Sequence, residues 1–233
     1  MRPRANYYKI FLRKRMSTFR CVEIKPQTPA NAAIIWLHGL GASSDDFVPM
    51  AKHLKLSPDI AMHYVFPDAP LRSVSLNGGA KMPAWYDLEI HGVERKANLD
   101  DLAQSRDQVL AKIDELVALG IRSERIIVAG FSQGGAVAYE VLFHCKQPLA
   151  GVMPMSTYIA DDTQAVKCLY KQTPIWISHG NQDDVVPMSL GERALLTLEQ
   201  GGLSPKMSEY TMAHNVCPSQ VKDIQGFINQ VLT

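Results

Sequence analysis

The fold of this chain is decided by residues 125–134, whose sequence is RIIVAGFSQG. The apolar run at 125–129 predicts a buried strand, and residues 134–145 predict a helix. Between them lies Gly130-Phe131-Ser132-Gln133-Gly134, a GxSxG pattern. Its glycines allow a sharp strand-to-helix turn that would expose the Ser132 hydroxyl at the end of the strand. GxSxG alone is weak evidence for a catalytic serine. Between a predicted buried strand and a predicted helix, however, it predicts a nucleophilic serine.

Strand and helix patterns alternate along the rest of the chain. Residues 32–37 form a continuous apolar run that predicts a buried strand, and 99–119 and 219–232 show the periodicity of amphipathic helices. The alternation predicts an α/β fold in one domain over residues 17–233, with a mostly parallel central sheet and helices on both faces. Further strands are predicted at 20–25, 62–66, 149–153, 174–178 and 206–211, and a further helix at 189–200.

Residues 67–98 show no clear periodicity and hold three prolines and three glycines. Irregular segments of this length in a compact domain usually have a function. This one leaves the carboxyl end of a predicted strand, which is the edge of a parallel sheet where ligands bind. We therefore expect it to border a substrate site.

The composition excludes several classes of protein. The 233 residues include 46% hydrophobic and 20% charged residues, with a net charge of +1, as in an ordinary globular protein. The near-neutral charge does not favour a nucleic acid partner, and there is no run of 18 apolar residues to span a membrane. The four cysteines lack metal-binding spacing and predict reduced thiols in a cytoplasmic protein.

The N-terminus differs from the rest of the chain. Residues 1–15 contain six Lys or Arg residues and no acidic residue. We expect residues 1–16 to form a flexible basic extension, or to lie upstream of a start at Met16. The alternative is a peripheral contact with an anionic membrane surface, which basic and aromatic residues favour.

A nucleophilic serine needs a base, and the base needs a carboxylate that orients it. In folds with this serine turn, the acid and then the histidine follow the serine along the chain. His214 comes after the strand at 206–211 and before the last helix, where the base belongs. His144 lies within a predicted helix, and His179 has no suitable acid between itself and Ser132. Two acids, Asp183 and Asp184, follow the strand at 174–178, and local sequence does not choose between them.

The oxyanion of an acyl-transfer intermediate needs two N–H donors. The amide of Gln133, directly after the nucleophile, is one candidate. The strand at 32–37 ends in His38-Gly39-Leu40-Gly41, so the amide of Leu40 is the other.

At this point the sequence resembles the acyl-protein thioesterase and lysophospholipase-like carboxylesterase family of α/β-hydrolases. The matching segments follow the family order over residues 17–233, and the longest of them is more specific than GxSxG. They are WLHGLG at 36–41, FPDAP at 66–70, LNGG at 76–79 with MPAWYD at 82–87, GFSQGG at 130–135, HGxxDxVVP at 179–187, and His214.

The resemblance implies roles for these residues. Ser132 would be the nucleophile, Asp183 the acid and His214 the base, with Leu40 and Gln133 as oxyanion donors. The loop at 70–85 would border the substrate pocket with Leu76, and Trp85 would lie near its mouth, although Trp85 is also expected as a core aromatic residue. Asn215 departs from the small hydroxyl residue that many relatives carry after the base.

The expected function is hydrolysis of carboxylic esters or thioesters through an acyl-enzyme. The resemblance implies a small-molecule ester, a lysophospholipid or an acylated protein as substrate, no metal or organic cofactor, and a weak homodimer. A peptidase or lactonase on the same fold is disfavoured by the NGG and MPAWYD segments. The alternative from another class is a non-catalytic relative that binds an acyl chain or lipid.

Overall fold

A computed structural model of the protein describes residues 19–233. Within them the chain forms eleven strands and five α-helices. The strands are β1 (Cys21–Ile24), β2 (Ala32–Leu37), β3 (Met62–Pro67), β4 (Leu71–Val74), β5 (Ala80–Pro83), β6 (Leu88–His91), β7 (Glu94–Ala97), β8 (Ile126–Phe131), β9 (Gly151–Met155), β10 (Trp176–Gly180) and β11 (Lys206–Tyr210). The helices are α1 (Val48–Ala51), α2 (Leu99–Ala118), α3 (Gln133–His144), α4 (Met188–Gln200) and α5 (Pro218–Leu232). The basic extension predicted for residues 1–16 lies outside the described residues.

Seven strands form the central sheet, in the spatial order β1-β3-β2-β8-β9-β10-β11. Strand β1 is antiparallel to β3, and the other neighbouring strands are parallel. The prediction of an α/β fold with a mostly parallel sheet is therefore confirmed. Because parallel strands share one direction, the carboxyl ends of β2, β8, β9, β10 and β11 lie at one edge of the sheet.

Helices cover both faces of the sheet and explain why its central strands are apolar throughout. In β2, Ile35 packs with the side of the core that includes α2, α3 and α4. Its neighbours Ile34 and Trp36 pack with the opposite side, which includes α5. All six residues of β2 are buried. A strand buried on both faces has no polar alternation, so it appears in the sequence as a continuous apolar run.

The segment at 67–98 is more regular than its sequence suggests. It contains two antiparallel hairpins, β4–β5 and β6–β7, which lie outside the central sheet. Gly78 and Gly79 turn the first hairpin with φ of +62° and +81°, and Gly92 turns the second with φ of +62°. The strands have only four residues each and are largely exposed, so they carry too few apolar residues to show a period. The helix α1 was missed because four residues are too few to show a helical period.

None of the helices within residues 19–233 is both long enough and apolar enough to cross a membrane.

The packing of α3 against the sheet gives a prediction about Gly134. A Cβ atom at this position would lie 2.5 Å from the carbonyl oxygen of Leu37 and 2.6 Å from that of His38. We expect Gly134→Ala to lower the free energy of unfolding by about 1–3 kcal/mol or more, because backbone atoms of the sheet would have to move. Urea denaturation measures the change.

The matched control is Gly226→Ala, in the exposed face of α5. Among residues 19–233, and apart from the backbone of α5 itself and the two chain neighbours, no atom lies within 4 Å of a Cβ built there, so this substitution should leave stability unchanged or raise it by up to about 1 kcal/mol. Equal unfolding midpoints for the two variants would contradict the packing described for α3.

Candidate active site

Ser132 lies in a strained turn between β8 and α3. Its φ of +54° and ψ of −119° fall outside the regions that non-glycine residues normally adopt. The turn is tight because its flanks have no room for side chains. A Cβ atom at Gly130 would lie 2.2 Å from the carbonyl oxygen of Gly134, and one at Gly135 would lie 2.5 Å from the side chain of Thr157. The GxSxGG pattern is thus a requirement of the backbone geometry.

Hydrogen bonds hold this turn on both sides of the serine. The Ser132 amide donates to the carbonyl of Met155 at the end of β9, at 2.9 Å. The Ser132 carbonyl accepts from the Thr157 hydroxyl at 2.6 Å and from the Gly135 amide at 2.9 Å. These bonds leave the Ser132 side chain facing a cavity at the carboxyl edge of the sheet.

His214 and Asp183 form a hydrogen-bonded pair beside this cavity. Their Nδ1 and Oδ2 atoms are 2.7 Å apart, and the Asp183 side chain is fully buried. Its other oxygen, Oδ1, accepts from the amides of Val185 at 3.0 Å and Val186 at 2.8 Å. Burial alone would raise the pKa of the Asp183 carboxyl, but the hydrogen bonds from His214 and Val186 outweigh it and hold that pKa below its usual value. The carboxylate therefore stays ionised and orients the imidazole.

The other candidates from the sequence lie elsewhere. Asp184 is exposed, so of the two neighbouring acids the structure brings only Asp183 against His214. His144 donates to the carbonyl of Glu140 on its own helix, at 3.0 Å.

His179 has a role that sequence reasoning did not assign. It is fully buried, its Nε2 donates to the carbonyl of Val186 at 2.8 Å, and the same nitrogen lies 3.6 Å from Asp183 Oδ2. Burial lowers the pKa of His179 and keeps the ring neutral. The hydrogen bond from His179 to Val186 and the two amide hydrogen bonds to Asp183 together hold both ends of the turn from Asp183 to Val186.

Leu40 lies in the turn after β2, and His38 shapes that turn. The His38 ring donates from Nδ1 to the carbonyl of Gly39 at 2.7 Å and accepts at Nε2 from the amide of Ala69 at 3.0 Å. Both contacts require the neutral ring, and burial lowers its pKa accordingly. Gly41 follows with a φ of +75° and donates to the carbonyl of Pro83 at 2.8 Å.

The amides of Leu40 and Gln133 are the two expected oxyanion donors. Both residues line the same cavity as Ser132. Within residues 19–233 neither amide donates a hydrogen bond to another group of the protein. The amide of Gln133 is also the first of α3, where the helix dipole favours negative charge. Two unpaired N–H groups beside a strained serine are what a developing oxyanion requires.

The side chain of Gln133 joins the serine turn to the Pro83–Tyr86 segment. It is buried, its Oε1 accepts from the amide of Trp85 at 2.7 Å, and its Nε2 donates to the carbonyl of Tyr86 at 2.7 Å. Both polar atoms of the Gln133 side chain therefore form hydrogen bonds with backbone groups. Sequence reasoning considered only the amide of Gln133 and missed this contact.

Trp85 is not at the mouth of the pocket, which corrects the first of the two expectations for this residue. It is fully buried, and its indole Nε1 donates to the carbonyl of His38 at 2.8 Å. As a core aromatic residue, Trp85 therefore holds the turn that contains Leu40 through its hydrogen bond to His38. Leu76 lines the cavity, with 42% of its surface exposed.

The cavity beside Ser132, here called the reaction cavity, has a volume of about 350 Å³. Its lining includes Gly39, Leu40, Ser132, Gln133 and His214. Its walls are mostly apolar and include the hairpin β6–β7 and the turn at Val185 and Val186. A second, more open cavity of about 560 Å³, here called the side cavity, also lies beside His214. Asp46, Phe131 and His214 line both cavities.

Within residues 19–233 no group of three or more His, Cys, Asp or Glu side chains is arranged to hold a metal ion.

The sequence matches the family described as phospholipase/carboxylesterase over residues 20–232. The chain belongs to this family. It is 30% identical to acyl-protein thioesterase 1 of Cryptococcus neoformans, over 93% of this chain and 99% of the relative. It is 32% identical to acyl-protein thioesterase 1 of Saccharomyces cerevisiae, over 88% of this chain and 95% of the relative.

Solved structures agree with this membership. The crystal structure of Arabidopsis thaliana SOBER1 superposes with a TM-score of 0.82 and 28% identity, covering 88% of this chain and all of SOBER1. Acyl-protein thioesterase 2 of Zea mays, at 23% identity and a TM-score of 0.76 over 92% of this chain and all of its own, shares the fold. The predicted family and the α/β-hydrolase fold are confirmed, and the protein is a hydrolase of the serine esterase class.

The contacts of Gln133 give a prediction about stability. Gln133→Met would leave the amide of Trp85 and the carbonyl of Tyr86 buried without partners, so we expect the free energy of unfolding to fall by about 2–4 kcal/mol. Chemical denaturation measures the loss. Gln200→Met, at the exposed end of α4, is the control and should change stability by less than about 0.5 kcal/mol. Similar values for both variants would contradict the linking role of Gln133.

Proposed function

We propose that the protein hydrolyses carboxylic esters or thioesters through a Ser132–His214–Asp183 triad and an acyl-enzyme intermediate. The observation that carries the proposal is the 2.7 Å contact between His214 and the buried Asp183, beside a cavity that His214 shares with a strained serine. Family membership supports ester hydrolysis, and the curated relatives named acyl-protein thioesterase extend the proposal to thioesters.

The first half of the reaction forms the acyl-enzyme. His214 takes the Ser132 proton as the hydroxyl oxygen attacks the substrate carbonyl. The amides of Leu40 and Gln133 stabilise the negative charge that develops on the carbonyl oxygen. Asp183 holds the imidazole in the tautomer that accepts this proton and stabilises the imidazolium that results.

The second half returns the free enzyme. His214 gives its proton to the departing alcohol or thiol, and then activates a water molecule that attacks the acyl-enzyme. The products are a carboxylic acid and an alcohol or thiol. The open side cavity beside His214 suits a bulky leaving group, such as the glycerophosphate part of a lysophospholipid or a protein cysteine.

The free cysteine thiols fit a reducing compartment such as the cytoplasm.

The nucleophile is tested by Ser132→Ala. We expect hydrolysis of p-nitrophenyl esters with two to sixteen acyl carbons to fall by on the order of 10⁴-fold or more, with an unchanged circular dichroism spectrum. A fluorophosphonate should label the wild type at Ser132 and leave the variant unlabelled. If the folded variant retained its turnover, or if the wild type neither turned over any ester nor reacted with the fluorophosphonate, the non-catalytic acyl-binding alternative would replace the proposal.

The choice of acid is tested by two neighbouring substitutions. Asp183→Asn should lower kcat by on the order of 10³–10⁴-fold, because the amide cannot stabilise the imidazolium and favours the wrong tautomer. Asp184→Asn, on the exposed neighbour, should change kcat by less than about twofold. Equal losses, or a larger loss at Asp184, would refute the assignment.

A further inference from the structure

Arg95 stands in the wall of the reaction cavity among apolar side chains. The residues around it on that wall are Leu76, Leu88, Ile90, Tyr158, Val185 and Val186. Arginine is charged at every physiological pH, so it places a permanent positive charge in this part of the wall, and the one carboxylate among the described lining residues is Asp46. Arg95 is half-buried and its hydrogen bonds lie at the surface, so its charge is accessible to a ligand, whereas an apolar acyl chain alone gains nothing from it.

The partners of Arg95 are neutral. Its Nη1 donates to the carbonyls of Gly92 and Val93 at 3.2 and 3.1 Å, and its Nη2 donates to the carbonyl of Val185 at 2.6 Å. Among residues 19–233 no carboxylate forms an ion pair with this guanidinium, whereas the nearby Arg193 is paired with Asp162 and Glu94. The Arg95 charge is therefore oriented by carbonyls but not neutralised.

Arg95 lines the same cavity as Ser132 and His214. Arg95 and Tyr158 are shared with a small cavity of about 60 Å³ that adjoins it, while Phe131 and His214 are shared with the side cavity. Arg95 is also linked to the pair of His214 and Asp183, because the carbonyl of Val185 accepts from Arg95 and the amide of Val185 donates to Asp183. A substrate held at Ser132 therefore has the Arg95 side chain in the wall of the same cavity.

We propose that the reaction cavity accepts a short acyl chain that ends in a carboxylate, with Arg95 pairing with that carboxylate. The inference rests on the proposed ester or thioester hydrolysis. The volume of about 350 Å³ is near the lower end of the range for ligand pockets, which suits a short chain. Guanidinium forks bind carboxylates through two hydrogen bonds, which would replace the missing counter-charge. Hydrolysis of such an ester or thioester consumes one water molecule and gives a dicarboxylate, the alcohol or thiol, and one proton.

The test compares three p-nitrophenyl esters with six-carbon acyl chains: the hexanoate, the adipate with a free terminal carboxylate, and the adipate methyl ester, which is neutral. Each kcat/KM is corrected for the rate of hydroxide hydrolysis. The wild type should prefer the free adipate over both neutral esters by about tenfold, and added salt should reduce only this preference. Equal values for the three esters, or a preference for the neutral ones, would overturn the proposal.

Arg95→Met should remove most of this preference by lowering the adipate value far more than the hexanoate value. Arg95→Lys, which keeps the charge but loses the fork, should retain part of it. The control Arg193→Met removes a nearby arginine whose charge is already paired, and it should keep the wild-type preference. If Arg95→Met lowers all three substrates equally, or if Arg193→Met loses the preference as fully, the pairing is refuted.

The wild-type comparison and its salt dependence decide the proposal even if Arg95→Met does not fold. Failure of the proposed function is distinct, because then no ester would show turnover that depends on Ser132. If turnover depends on Ser132 and the three esters are equivalent, only the inference about Arg95 fails.

Discussion

The site depends on the contact between the first turn of α3 and the ends of β2 and β8. This contact leaves no space for a side chain at Gly130 or Gly134, since a Cβ atom at either position would meet backbone at 2.2–2.5 Å. The chain therefore turns through Ser132 with a positive φ, and the strain is held by the close-packed backbone around it. The same packing brings the Gln133 amide to the edge of the sheet near Leu40.

A chain of hydrogen bonds connects the serine turn with the turn after β2. The Gln133 side chain binds the backbone of Trp85 and Tyr86, the indole of Trp85 binds the carbonyl of His38, and the His38 ring binds the carbonyl of Gly39. All of these groups are buried, so each would be costly to leave unpaired. This series of hydrogen bonds begins at Gln133, one expected oxyanion donor, and ends at Gly39, next to the other, Leu40. It therefore fixes the positions of the two amides relative to each other.

The order of elements was predictable from sequence because it depends on local pattern. Continuous apolar runs identify strands buried on both faces, and the topology follows from their alternation with helices. The positions of Ser132 and His214 follow because strand ends in a parallel sheet share one edge. The contacts of Trp85 and of the Gln133 side chain were not predictable, since they join residues 47 or 48 positions apart and leave no periodic signal. The hairpins at 67–98 were missed because their strands are short and exposed.

The hairpin β6–β7 connects the cavity wall to Asp183, the proposed catalytic acid. Arg95 on this hairpin donates to the carbonyl of Val185, and the amide of Val185 donates to Asp183. His179 holds the next residue of the same turn through the carbonyl of Val186. Two hydrogen bonds connect Arg95 to Asp183 through Val185. A movement of the hairpin would therefore displace the carboxylate that pairs with His214. A ligand that pairs with Arg95 would act on a guanidinium already held by carbonyls, so little side-chain freedom is lost on binding.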